Sequence, residues 1–108
     1  MTYRQLYDFA VGQIEWYKKQ IDFEKEQIEF CNRQIRQSRK EDRELQKFAL
    51  SDRPNDPMVL RIYGQDYVGH ETRKYINERA RRYRAIKHNR KMIEHFRREA
   101  EEFGKHIG

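Results

Sequence analysis

Residues 13–40 read QIEWYKK QIDFEKE QIEFCNR QIRQSRK, four consecutive heptads that each open with Gln and Ile. The repeat sets Ile14, Ile21, Ile28 and Ile35 in one line and Gln13, Gln20, Gln27 and Gln34 in another. Seven residues are two turns of a slightly underwound helix, so each line is a stripe along one helix of a coiled coil or long bundle. With the Ile line at position a, Tyr3, Ala10, Tyr17 and Cys31 fall at d, with Glu24 interrupting. Phe9, Trp16, Phe23 and Phe30 fall at c, about 160° round the helix from a. The helix is therefore apolar on two sides. Four large aromatics in a row exceed the patch that soluble monomers leave exposed, and one partner helix cannot cover both faces. The expected oligomer interface draws on Phe9, Trp16, Phe23 and Phe30 and on Ile14, Ile21, Ile28 and Ile35. One of these two faces is expected to meet a second copy of the chain, giving a dimeric helical bundle. The Gln line lies between them at g, either pairing amides across an interface or serving as a solvated flank.

Working outward, Thr2 and Gln5 form a capping box that starts this helix near the N-terminus. Between Arg36 and Glu44 no apolar residue appears, and Ser38 with Glu41 would make a second capping box and a break. Continuity is favoured, because Leu45, Phe48 and Ala49 resume the rhythm before Ser51, Asp52, Arg53 and Pro54 stop it. A helix over about residues 2–50 would be roughly 70 Å long. Residues 51–70 are the connector, with Pro54, Pro57, Gly64 and Gly69. Two readings compete for it. Alternating Leu60 and Ile62, with Gly64-Gln65 as a turn, suggests a small β-hairpin. Asp56 capping Pro57, with Gly64 as the stop, suggests two turns of helix. The hairpin is favoured for the β-propensity of Val59, Ile62 and the tyrosines.

The last helix starts between Asp66 and Thr72, runs over about 71–103 and has Gly104 as its C-terminal signal. Its expected stripe is Tyr75, Ile76, Ala80, Tyr83, Ile86, Ile93, Phe96, Ala100 and Phe103, interrupted by Arg82, Asn89 and Arg90. The fold class is all-α: two long helices in an antiparallel hairpin, within one domain of 108 residues. An apolar content of 36% against 39% charged residues fits long helices with narrow seams. No apolar run reaches the length of a membrane span and no signal-peptide core follows Met1, so a cytoplasmic protein is expected. The single cysteine excludes an intrachain disulfide framework.

Function is legible only through charge. The net charge is +6, and residues 71–91 hold nine basic against two acidic side chains. On the last helix Lys74, Arg79, Arg81, Arg82, Arg84, Lys87, Arg90 and Lys91 are the candidate ligands of an anionic partner. Arg36, Arg39, Lys40 and Arg43, together with Arg33, would lie near the same end of an antiparallel hairpin. Arg outnumbers Lys, which suits forked contacts to phosphate. Solvated basic faces are equally common on bundle helices. No helix-turn-helix, zinc-finger or RNA-binding signature supports base reading.

Other candidates are weaker. Cys31 reads as a core residue, and His88 and His95 are seven apart, too far for a helical zinc pair. Asp56, Asp66, His70 and Glu71 match no ligand spacing, so no metal and no cofactor is expected. No nucleophile elbow, phosphate-cradling loop or catalytic dyad appears, so neither enzymatic activity nor a small-molecule substrate is expected. The favoured reading is a non-enzymatic helical binding protein that oligomerises through its first helix and binds nucleic acid with its basic end. Two alternatives stand beside it. One is a small adaptor or inhibitor that occupies an acidic surface of a nucleic-acid enzyme, as small accessory proteins of phages, anti-CRISPR proteins among them, do. The other is a structural coiled-coil spacer. The first is an analogy of size and charge only.

Overall fold

A computed structural model describes residues 1–107. It holds α1 (Tyr3–Asp52), α2 (Pro57–Tyr63) and α3 (His70–Gly104), with no strand among the described residues. The two long helices pack against each other in two compact units. The first is Met1–Ile28 with the chain from Arg81 onward, and the second is Glu29–Ala80.

In the first unit, buried or half-buried residues follow each other at alternating steps of three and four. On α1 they are Ala10, Ile14, Tyr17, Ile21, Glu24 and Ile28; on α3 they are Arg82, Ile86, Asn89, Ile93, Phe96 and Ala100. That spacing is the heptad seam, and it makes the core of Ile14, Ile21, Ile28, Ile86 and Ile93, flanked by Tyr17 and Phe96. Each isoleucine removed from water contributes about 2–3 kcal/mol. The helices run antiparallel, since Tyr3 stacks on His106, Phe9 meets Phe96 and Glu24 meets Arg82. The capping box forms reciprocally, Thr2 N donating to Gln5 Oε1 at 2.8 Å and Gln5 N to Thr2 Oγ1 at 3.1 Å. α3 does end at Gly104, but without the left-handed glycine expected there. The chain winds on through bonds from His106 N to Phe103 O and Ile107 N to Gly104 O.

Two expectations for the last helix change. Tyr83, 55% exposed, and Ala80, exposed as well, lie outside the stripe. Arg82 and Asn89, expected as interruptions, occupy seam positions, because long polar side chains at a and d are retained when a partner satisfies them.

The second unit has a polar seam. α1 passes Ser38 unbroken, so the second capping box is not used; Ser38 Oγ lies 3.3 Å from the Ile35 carbonyl within the helix. Ser38 and Asp42 continue the d and a positions of the repeat and are buried. The segment favoured as a hairpin is helix α2. Asp56 accepts from Met58 N at 2.9 Å and Pro57 sits at the start, so this local start signal outweighs the β-propensity of Val59 and Ile62. The Gln46 amide donates to the Tyr63 and Gly64 carbonyls at 3.1 and 2.7 Å, satisfying the end of α2.

α3 is started by a residue from α1. The Asp42 carboxylate accepts from Gly69 N at 3.1 Å and from Thr72 Oγ1 at 2.6 Å, placing negative charge at the helix N-terminus. Ser38 Oγ lies 2.7 Å from the same threonine oxygen. Arg39 steadies the group, 3.7 Å from Asp42 and donating to the Tyr67 carbonyl at 2.9 Å. Gly69 is required, since a methyl group there would overlap the Asp42 carboxylate. Burial first, then Asp42 and Tyr63, raise the Tyr67 phenol above its ordinary 10.0.

Candidate basic face and aromatic ridge

The Ile line and the aromatic line of α1 have different fates. Ile14, Ile21 and Ile28 are filled by Ile86 and Ile93 of the same chain, and Ile35 is half-buried in the second unit. Of the two apolar faces of α1, this is the one that α3 covers within the chain. The aromatic line is not covered. Phe9, Trp16 and Phe23 in the first unit are 53%, 52% and 47% exposed, and Phe30 in the second is 43% exposed.

Each ring keeps a contact with its own chain. Phe9 meets Phe96 edge-on at 6.2 Å, Trp16 meets Tyr17 at 4.9 Å, and Phe30 meets Tyr75 at 6.2 Å. The Arg82 guanidinium lies 5.8 Å from the Phe23 ring centre, a cation–π contact. The flanking Gln13, Gln20 and Gln27 are half-buried. The ridge is thus a row of indole and phenyl rings seven residues apart, bordered on one side by uncharged amides.

The twelve candidate cations divide into structural and exposed sets. Three are structural. Arg82 pairs with Glu24 at 3.3 Å, both side chains largely out of solvent. Arg79 donates to Asn32 Oδ1 at 2.9 Å, and Arg39 belongs to the Asp42 group. The other nine are exposed: Arg36, Lys40, Arg43 and Lys74 in the second unit, and Arg81, Arg84, Lys87, Arg90 and Lys91 in the first. Lys74 extends over the Tyr75 ring, 5.7 Å from its centre.

Within the first unit residues 81–91 hold six Arg and Lys and no Asp or Glu. Arg84, Lys87 and Lys91 stand three and four residues apart on the side of α3 away from Ile86 and Ile93. The nearest carboxylate along the helix, Glu94, is engaged by Arg98 at 3.8 Å. Seven residues of helix span about 10.5 Å, room for about three phosphates of one strand.

The weaker candidates resolve into packing. Cys31 is a buried free thiol. Asp56 caps α2, while Asp66, His70 and Glu71 are exposed. His95 pairs with Glu99 at 3.2 Å. No helix among the described residues is long and apolar enough to cross a membrane. Sequence reasoning missed the Asp42–Thr72–Gly69 group and the Glu24–Arg82 pair. It also missed the exposed Met58, Leu60 and Ile62 of α2, of which the hairpin reading had set Leu60 and Ile62 in one strand. Comparison with protein-family models, curated proteins and solved structures gave no match to this chain.

Proposed function

We propose that this chain is a non-enzymatic helical binding protein, which self-associates through the aromatic ridge of α1 and holds nucleic acid through the basic face of α3. The observation that carries the ligand is the stretch from Arg84 to Lys91, where Arg84, Lys87 and Lys91 are exposed and no Asp or Glu stands among them. Solvated basic helices usually interleave both signs at three- and four-residue steps, which gains a few tenths of a kcal/mol per pair. This segment forgoes that gain, and an external polyanion is the partner that restores it.

The ligand is read through its phosphates. Three point charges and no groove-reading motif give affinity without base selection, so duplexes of different sequence bind alike. Releasing about three counterions implies a salt slope near −3 on duplex DNA. The test is fluorescence anisotropy with labelled duplex and single-stranded oligonucleotides across a salt series. Binding that weakens with that slope, and is lost in Arg84→Glu, Lys87→Glu, Lys91→Glu, supports the reading. No binding to either nucleic acid at low salt overturns it.

A further inference from the structure

Among the described aromatics, Phe9, Trp16, Phe48 and Tyr83 are more than half exposed. Phe9 keeps Phe96 and Trp16 keeps Tyr17 as a ring neighbour, whereas the side chains of Phe48 and Tyr83 have no ring or cation partner. Their surroundings differ. Phe48 has Glu44 and Asp52 one turn to either side, while Tyr83 has Lys87 one turn on and Arg90 two turns on, with no Asp or Glu after it before Glu94. The seam of the first unit takes in Arg82, Ile86 and Asn89, which turns Tyr83, about 100° round the helix from Arg82, out of it. Lys87 and Lys91 follow Tyr83 at steps of four, so the three form one row that advances about 6 Å and turns about 40° at each step. Arg90 borders the row on one side and Arg84 on the other.

An uncharged ring gains nothing from the phosphates that its neighbours attract. What it offers a polynucleotide is a flat surface on which a base can stack, a contact that tolerates any base because each has a π-face. Inside a duplex both faces of a base are already stacked and freeing it costs energy, so the base that can use the ring is an unpaired one. We propose that Tyr83 is the stacking platform for an unpaired base, with Arg84, Lys87 and Lys91 on the phosphates beside it, so that the ligand of the basic face is single-stranded nucleic acid. This rests on the nucleic-acid reading above and names the class of strand.

The test is fluorescence anisotropy at low salt with three labelled probes of equal length: a thymidine single strand, a strand of the same phosphates with abasic sites in place of its bases, and a duplex. The parent is expected to bind the thymidine strand about tenfold more tightly than the abasic strand, and more tightly than the duplex. Tyr83→Leu, at an exposed position and with a residue of good helix propensity, brings the thymidine strand down to the abasic level and leaves the other two probes unchanged. Tyr83→Phe keeps the ring and the preference. The salt slope on the thymidine strand stays near about −2 in all three proteins, because the phosphate contacts are untouched. Circular dichroism confirms that both variants melt as the parent does, and the parent's own comparison of thymidine with abasic strand decides without either. Equal affinity of the parent for those two strands, tighter binding to the duplex, or an unchanged preference in Tyr83→Leu overturns the platform while leaving the phosphate contacts standing. Failure to bind any of the three probes overturns the platform and the nucleic-acid reading beneath it.

Discussion

Replacing Trp16 by Ser isolates the energy held in the ridge. A tryptophan side chain offers up to about 250 Å². At 52% exposure roughly half of that, about 125 Å², stays open to a partner. At about 25 cal/mol per Å² the open part is worth about 3 kcal/mol per copy, or about 6 kcal/mol in a symmetric dimer, as an upper limit. Rim water and the smaller cavity left by relaxation halve this, so about 3 kcal/mol remains, a weakening of self-association by about a hundredfold. The variant keeps its helices, because Ser and Trp differ little in helix propensity. It loses the edge contact of Trp16 with Tyr17, which lowers the stability of the single chain by about 1 kcal/mol. Sedimentation equilibrium over a concentration series measures the first effect, and a thermal melt at the lowest concentration measures the second. A dissociation constant within about threefold of the parent would refute the assignment of the ridge as the interface. A chain that unfolds outright would instead make the ridge part of the intrachain core.

Four further outcomes are expected. Gly69→Ala drives the Asp42 carboxylate from the start of α3 and lowers stability by about 2 kcal/mol in a chemical denaturation curve, while Gly12→Ala, with open space around it, does not destabilise. Glu24→Ala removes the carboxylate that meets Arg82 in the seam and destabilises by about 2 kcal/mol, discounted for the partial exposure of Arg82, and the joint change of both residues to Leu recovers most of the loss. Arg84→Glu, Lys87→Glu, Lys91→Glu leaves the melting temperature within a few degrees, since exposed charge changes cost about 0.5 kcal/mol each, but abolishes oligonucleotide binding. Because the folded state holds the Tyr67 phenol above 10.0, its contribution to stability is present below that pH and declines as pH rises through and beyond it, by an amount Tyr67→Phe removes.

The first long helix was legible because the Ile line and the Thr2–Gln5 box state period and start independently, and the antiparallel packing because one connector joins two helices of comparable length. The aromatic ridge was legible from the same seven-residue period. The connector was not, since Val59 and Ile62 argue for a strand by propensity while Asp56 and Pro57 argue for a helix by position, and the side-chain cap is the stronger local force. At the candidate site, Arg84, Lys87 and Lys91 could be read as outward-facing from the Ile86 and Ile93 spacing alone. Arg79 and Arg82 could not be separated from them by composition, because a cation at a seam position has the same letter as one in solvent. A signal did exist: carried past Ile35, the heptad register puts Ser38 at d and Asp42 at a, and carried back from Ile93 and Ile86 it reaches Arg79 and Thr72. Polar residues at all of these seam positions announce partners, although the register does not name them.

Near-identical heptads create a hazard of their own: a helix made of repeats fits its neighbour almost equally well after sliding by one repeat. Isoleucine on isoleucine gives little energy to forbid the slip. In the first unit the Glu24–Arg82 pair does forbid it, because a shift of seven residues sets Arg82 against Tyr17 or Cys31 and leaves a largely buried carboxylate unpaired. In the second unit Asp42 can reach the Gly69 amide in one alignment only. The charged and polar seam residues thus act as detents on an otherwise smooth rail, and removing Glu24 and Arg82 together would gain a more hydrophobic core at the expense of a single resting position.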